Sequence, residues 1–101
     1  MAKMITIGIK EPGMDWHFRE VKDDLKTYQQ IVGGYIEMCH ATKDGILIFG
    51  NEMGKLLGMV PNIFLPRDTI VGTVFAVRSD EEGEFQSLTG EDIDRLLSGQ
   101  A

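Results

Sequence analysis

Two consecutive glycines, Gly33 and Gly34, separate a segment with helical spacing of apolar residues from a segment with strand character. Glycine readily adopts the left-handed conformation that ends many helices, so Gly33 predicts a helix end. Gly34 adds backbone freedom for a sharp corner into a strand that begins at Tyr35. The turn over residues 43–45 predicts that a second strand, from Ile46, folds back on the first. An open alternative is that the two glycines let the backbone approach a ligand in a cleft.

Runs of alternating or continuous apolar residues place the other elements. Strands are predicted near residues 5–9, 16–21, 35–42, 46–49, 69–78 and 84–88, helices over residues 24–32 and 90–98, and a loop over residues 61–68. Residues 46–49 and 69–78 are apolar on both faces, which indicates interior strands. Asp23 or Asp24 is expected to cap the first helix, and Thr89 with Asp92 to form a capping box at the second.

This order of elements predicts an α+β fold in a single domain over residues 1–101. We expect an antiparallel or mixed sheet of about five to seven strands, with two helices packed on it. Residues 51–58 leave two alternatives open. A hairpin that returns as a strand at residues 55–57 is favoured, because Gly54 costs a helix interior about 1 kcal/mol relative to alanine. The alternative is a short helix that is capped by Asn51 and ended by Gly58, with Met53, Leu56 and Leu57 facing inward.

Composition narrows the classes of function. No apolar run approaches the roughly 20 residues that span a membrane, and no signal segment precedes the first strand, so we expect a cytosolic protein without a membrane partner. The net charge of −6 disfavours direct nucleic-acid binding, which needs clustered lysine and arginine. Acidic residues that crowd the last quarter of the chain form either a solvated surface or a face for a basic partner. They are Asp80, Glu81, Glu82, Glu84, Glu91, Asp92 and Asp94.

The sequence offers few parts for catalysis. Cys39 is the only thiol, and its neighbour His40 is expected on the opposite face of a strand, where it cannot serve as the base. His17, His40 and Cys39 lack the spacing of a metal site, and no glycine-rich phosphate loop is present. We therefore predict no enzyme and no cofactor. The rival hypothesis is a hydrolase that uses Glu37 or Glu52 as a base.

Four short motifs occur in order along most of the chain: V-G-G-Y-I-E over residues 32–37, N-E-M-G-K-L over residues 51–56, P-N at residues 61–62 and I-V-G-T over residues 70–73. This set resembles a family of small phage and plasmid proteins known as domain of unknown function family 3846. The family pattern commonly has a second glutamate where this chain has Met53. The resemblance implies an origin on a mobile genetic element, and it supplies no catalytic residues.

Together, the motifs and the missing catalytic parts favour a non-catalytic binding protein. Its target would be a host protein that acts in immunity or in nucleic-acid processing. The favoured hypothesis is therefore a counter-defence inhibitor. The alternatives are a protein that sequesters a small nucleotide signal and an accessory protein of mobile-element replication. Dimerisation through strand edges or a sheet face is also expected. The candidate binding residues are the polar members of the motifs and one nearby arginine: Tyr35, Glu37, Asn51, Glu52, Lys55, Asn62 and Arg67.

Overall fold

The structure is a computed structural model that describes residues 3–99. Its elements are, in chain order, β1 (Met4–Lys10), β2 (His17–Lys22), α1 (Leu25–Val32), β3 (Ile36–Ala41), β4 (Leu47–Asn51), β5 (Pro61–Leu65), β6 (Asp68–Val71), β7 (Val74–Ser79), β8 (Phe85–Gln86) and α2 (Gly90–Ser98). Six strands form an antiparallel sheet in the order β2-β1-β7-β4-β3, with β8 paired to β7. The predicted α+β fold is confirmed, and β4 and β7 lie in the sheet interior, as their apolar runs predict.

The main sheet is covered on both faces. On what we call the first face, α1 contributes Tyr28 and Val32 to a core with the isoleucines of β1. The Tyr28 ring stacks on Phe75 of β7 with 4.8 Å between ring centroids. On the second face, Ile48 and Ala76 of the sheet pack with residues of α2 and of a separate hairpin formed by β5 and β6. The molecule therefore has three layers, with the sheet in the middle.

The caps of α1 match their predicted positions. The Asp24 carboxylate accepts a hydrogen bond from the Thr27 backbone N–H at 2.8 Å, and the hydrogen bonds to Thr27 lower the pKa of Asp24. Gly33 ends the helix with φ of +80°, in the left-handed region. Leu25, in the first turn, is 57% exposed and takes no part in the buried face. Neither helix is long and apolar enough to span a membrane, among the residues that the structure describes.

The predicted capping box of α2 also forms. Thr89 Oγ1 accepts from the Asp92 N–H at 3.1 Å, and Asp92 Oδ2 accepts from the Thr89 N–H at 2.9 Å. Asp92 is fully buried and also receives two hydrogen bonds from Arg78 of β7, at 2.6 and 2.7 Å. Burial would raise the pKa of Asp92, but the hydrogen bonds from Arg78 and Thr89 outweigh burial and lower it. One carboxylate thus caps α2 and fastens it to the sheet.

The segment over residues 61–78 corrects two predictions. Residues 61–68 are not a loop, because residues 61–65 form β5, which pairs with β6. Residues 69–78 are not one strand, because Gly72 breaks them with φ of +76° and sends β6 and β7 into different sheets. Prolines exclude helix but are compatible with the start of a strand or with a turn, and Pro61 begins β5 while Pro66 stands in the turn of the hairpin.

Residues 52–58, which we call the turn segment, form consecutive hydrogen-bonded turns. The favoured hairpin is wrong, since no strand returns at residues 55–57. The helical alternative is only partly right, because Asn51 does accept a hydrogen bond from the Met53 N–H and Gly58 has φ of +69°. Its apolar residues do not face inward: Leu56 is 80% exposed and Leu57 is 64% exposed.

Candidate functional site

A cleft opens on the second face of the sheet, where the edge strand β3 meets β6 and the turn segment. Its volume is about 260 Å³. Three of the predicted binding residues line it: Glu37 from β3, and Glu52 and Lys55 from the turn segment. The other lining residues are Met38, Cys39, Leu56, Asp68, Thr69, Ile70 and Val71.

The charges of the cleft are predominantly negative. Lys55 forms an ion pair with Asp68, and the hydrogen bonds from Lys55 and from the Thr69 N–H lower the pKa of Asp68. The negative charge of Asp68 balances the positive charge of Lys55, the one lysine that lines the cleft. The carboxylates of Glu37 and Glu52 therefore give the cleft a net negative charge. A negative surface favours a cationic group over a phosphate. The cleft is therefore better suited to a cationic group than to an anion.

A β-bulge at Cys39 corrects the prediction that Cys39 and His40 lie on opposite faces. Met38 pairs with Phe49 and His40 with Ile48, so Cys39 is the extra residue in β3. A bulge interrupts the alternation of side chains. Cys39 packs against the core of the second face, which also contains Ile48, the cross-strand partner of His40. The two side chains nevertheless line different cavities.

The Cys39 thiol is poorly suited to nucleophilic attack. Burial raises its pKa, and the negative charge of Glu37 raises it further. The thiol itself donates a hydrogen bond to the Glu37 carbonyl at 3.5 Å. Since the thiolate is the reactive form, a raised pKa keeps Cys39 in the less reactive form near neutral pH.

The two asparagines of the motifs are buried and hold the backbone together. Asn51 Nδ2 donates to the Val32 carbonyl at the end of α1, at 3.2 Å, while its Oδ1 accepts from the Met53 N–H at 2.7 Å. Asn62 Nδ2 donates to the carbonyls of Lys10 and Gly72 at 2.9 and 2.8 Å. Asn51 thus joins α1 to the turn segment, and Asn62 joins β5 to β1 and to the Gly72 bend.

The remaining two predicted residues do not line the cleft. Tyr35 is 70% exposed, and its backbone carbonyl accepts a hydrogen bond from the Glu52 N–H at 2.8 Å. Arg67 is exposed in the turn between β5 and β6. A site for the phosphate of a sequestered nucleotide would need cationic donors such as Lys55 and Arg67 together. Only Lys55 lines the cleft, and Asp68 already binds it.

Sequence reasoning missed the contribution of β6 to the cleft, because it placed Asp68 in a loop and Thr69 at the start of one long strand. A usable signal was present. Residues 63–65 and 69–71 are apolar or β-branched runs on either side of a short polar turn, which is the pattern of a hairpin. Lys55 and Asp68 are thirteen residues apart in sequence, so no local spacing indicates their ion pair.

A second cavity, which we call the groove, lies on the other side of the β5–β6 hairpin, between β5 and α2. Its volume is about 320 Å³, and Trp16, Ile48, Ile63 and Leu96 are among the residues that line it. The hairpin thus divides the second face: β6 lines the cleft and β5 lines the groove. Within residues 3–99, no group of three or more histidine, cysteine or carboxylate side chains is arranged to hold a metal ion.

The structure is thus that of a small three-layer α+β protein with an acidic cleft. The family model described as Domain of unknown function (DUF3846) matches residues 5–100, and the chain belongs to this family. No curated protein and no solved structure matches the chain at a significant level.

Proposed function

We propose that the protein is a non-catalytic binding protein that recognises a basic segment of a partner protein through the cleft. The observation that carries this proposal is the exposure of Leu56, at 80%, beside the carboxylates that line the cleft. A single exposed apolar residue is common on protein surfaces, but Leu56 shares the cleft with exposed Met38, and grouped apolar side chains beside charges are typical of a contact surface. Met38, 52% exposed on the edge strand, extends the same rim.

The acidic last quarter of the chain is a weaker candidate surface. Asp92 is buried in its ion pair with Arg78, and Asp80 accepts hydrogen bonds from the backbone of its own turn. Arg95 forms ion pairs with Glu91 and with Asp44, which reduces the negative charge of this surface. Glu37 and Glu52 form no ion pair within residues 3–99, and unlike the free carboxylates of the last quarter they line the cleft beside Leu56, so they are better placed to bind a cationic partner group.

A non-catalytic role is supported by the state of the reactive groups in the cleft. The thiol of Cys39 has a raised pKa, and Lys55 is held in an ion pair. Neither arrangement activates a nucleophile or a base. In the finer form of the proposal, the partner is a host immune or nucleic-acid-processing protein, whose basic surface suits the acidic cleft. Such a protein would act as a counter-defence inhibitor.

The test is capture from host-cell lysate with the immobilised protein, read by quantitative mass spectrometry. The cleft variants are Leu56→Asp and the pair Glu37→Lys with Glu52→Lys. Matched controls make the same chemical changes elsewhere: Leu97→Asp on α2, and Glu81→Lys with Glu82→Lys in an exposed turn. Circular dichroism checks that each variant is folded.

We expect the unaltered protein and both controls to retain one stoichiometric protein that both cleft variants lose. Capture that is equal for all variants, or the absence of any stoichiometric partner, would contradict the proposal. Mass spectrometry of copurifying small molecules examines the alternative of a sequestered nucleotide. A stoichiometric bound nucleotide that survives the cleft variants would favour that alternative.

A further inference from the structure

The groove contains a lysine that a hydrogen bond holds in place and that forms no ion pair with the residues that the structure describes. Lys10 Nζ donates to Asn62 Oδ1 at 2.7 Å. Its only other hydrogen bond within the described chain is a long one, 3.5 Å, to the Asn62 carbonyl. None of the ion pairs found among residues 3–99 includes Lys10. An ammonium group has three donors, so at least one is directed at no good acceptor among the described residues.

Asn62 holds this ammonium in a defined position. Asn62 is 6% exposed, and both protons of its amide nitrogen are taken by backbone carbonyls, those of Lys10 and Gly72. The amide therefore cannot rotate without losing these bonds, and its oxygen must face Lys10. A buried side chain thus orients the cation, which reduces the entropy that a ligand would otherwise lose on binding.

The walls around the ammonium are mainly apolar. Trp16, Ile48, Ile63 and Leu96 contribute side chains to the groove, and His40 is its other titratable lining residue. Asp15 lines an adjoining depression to which Lys10 also contributes, but no ion pair joins Asp15 to Lys10 among residues 3–99. Apolar surroundings strengthen the attraction between a cation and an entering anion, because they exclude competing water.

We propose that the groove binds a small organic carboxylate, with its charged end on Lys10 and its apolar body against Trp16 and Leu96. One ammonium complements a single negative charge, whereas a phosphate ester calls for several cationic or N–H donors. The volume of about 320 Å³ lies at the small end of ligand pockets, which suits a small molecule better than a peptide. This site is separate from the cleft and does not depend on the function proposed for it.

Trp16, the only tryptophan of the chain, gives a direct readout because it lines the groove. The experiment titrates octanoate, 1-octanol and octylammonium into the full-length protein and follows tryptophan fluorescence. We expect a saturable change with octanoate, and at least about tenfold weaker binding of the alcohol and the amine, equivalent to about 1.4 kcal/mol. Equal affinity for octanoate and octanol, or no saturable change with octanoate, would overturn the proposal.

Substitutions identify the cation. Lys10→Gln should abolish the preference for octanoate over octanol, since glutamine can bond to Asn62 but carries no charge. Lys10→Arg should restore the preference, and Lys43→Gln, which removes an exposed lysine of a turn, should leave it unchanged. An unchanged preference in folded Lys10→Gln would overturn the assignment. The three-ligand comparison on the unaltered protein tests the proposal even where a variant fails to fold.

Discussion

Asp92 is a fully buried charge with two structural roles, as the cap of α2 and as the partner of Arg78. We expect Asp92→Asn to lower the free energy of unfolding by about 3 kcal/mol, because removal of one member of a buried pair leaves the other charge uncompensated. Urea denaturation at neutral pH measures the change. The control is Glu91→Gln in the same helical turn, whose exposed pair with Arg95 should contribute less than about 1 kcal/mol. Equal losses in both variants would contradict this role.

The same carboxylate predicts a dependence of stability on pH. The pKa of Asp92 is lower in the folded state than the ordinary value of 3.8. Its stabilisation is therefore complete above that ordinary value and is lost as the pH falls through the lower folded-state pKa. Below neutrality, the Asp92→Asn variant should show a shallower acid-induced loss of stability than the unaltered protein. Parallel curves of unfolding free energy against pH for the two proteins would rule out this contribution.

Gly34 is constrained by a side chain rather than by its own dihedral angle. A Cβ atom at this position would lie 2.7 Å from Nδ2 of Asn51, the amide that joins α1 to the turn segment. We expect Gly34→Ala to cost about 2 kcal/mol, through overpacking and loss of the Asn51 hydrogen bonds. Thermal and urea unfolding measure the cost. Gly90→Ala, where the added Cβ meets no atom within 4 Å, should be neutral or slightly stabilising.

At the residue scale, local rules recovered the caps but not the roles of the polar residues. Asp24, Gly33 and Thr89 are recognisable because capping is decided within one turn of chain. Asn51 and Asn62 looked like binding residues, yet each bonds to backbone far away in sequence. An amide has donors and an acceptor that suit a ligand and a distant backbone equally, so its role depends on the tertiary fold.

At the scale of elements, the β5–β6 hairpin depends on Gly72. An alanine there would adopt an unfavourable left-handed conformation, which costs about 1–2 kcal/mol. Its Cβ would also lie 2.7 Å from Met59 Sδ. We expect Gly72→Ala to lower the unfolding free energy by about 2–3 kcal/mol in total, measured by urea denaturation.

A double-mutant cycle separates the two causes. Met59→Ala should cost less in the Gly72→Ala background than in the unaltered protein, because the added methyl group has already displaced the sulfur. Strictly additive losses would show that contact with Met59 plays no part.

Both helices and most strands of the main sheet follow from periodicity and from glycine positions, although periodicity alone merges β6 with β7. The bulge at Cys39 does not, because nothing in the sequence of β3 marks the residue that lacks a cross-strand partner. Its effect is large all the same, since it carries Cys39 to the cleft and His40 to the groove. A glycine inside an apolar run, as at Gly72, suggests a bulge, but the change of sheet that occurs there depends on strand partners that only the folded chain supplies.

At the scale of the whole molecule, the two layers on the main sheet share its central strand. Phe75 and Val77 of β7 belong to the core of the first face, while Val74 and Ala76 belong to the core of the second. We therefore expect a single cooperative unfolding transition. Tryptophan fluorescence reports the second face through Trp16, and far-UV circular dichroism reports the sheet and helices. The two midpoints in urea should coincide, and separate midpoints would show that one layer unfolds independently.

The β5–β6 hairpin is a wall common to two cavities, and this has a mechanical consequence. A rigid displacement of the hairpin toward the cleft widens the groove, and a displacement toward α2 does the reverse. A molecule that binds in one cavity and pushes the hairpin away would narrow the other cavity. We therefore expect it to lower the affinity of the other cavity for its own ligand. Thermodynamic linkage makes such antagonism reciprocal: a partner seated in the cleft would weaken a ligand of the groove by the same factor.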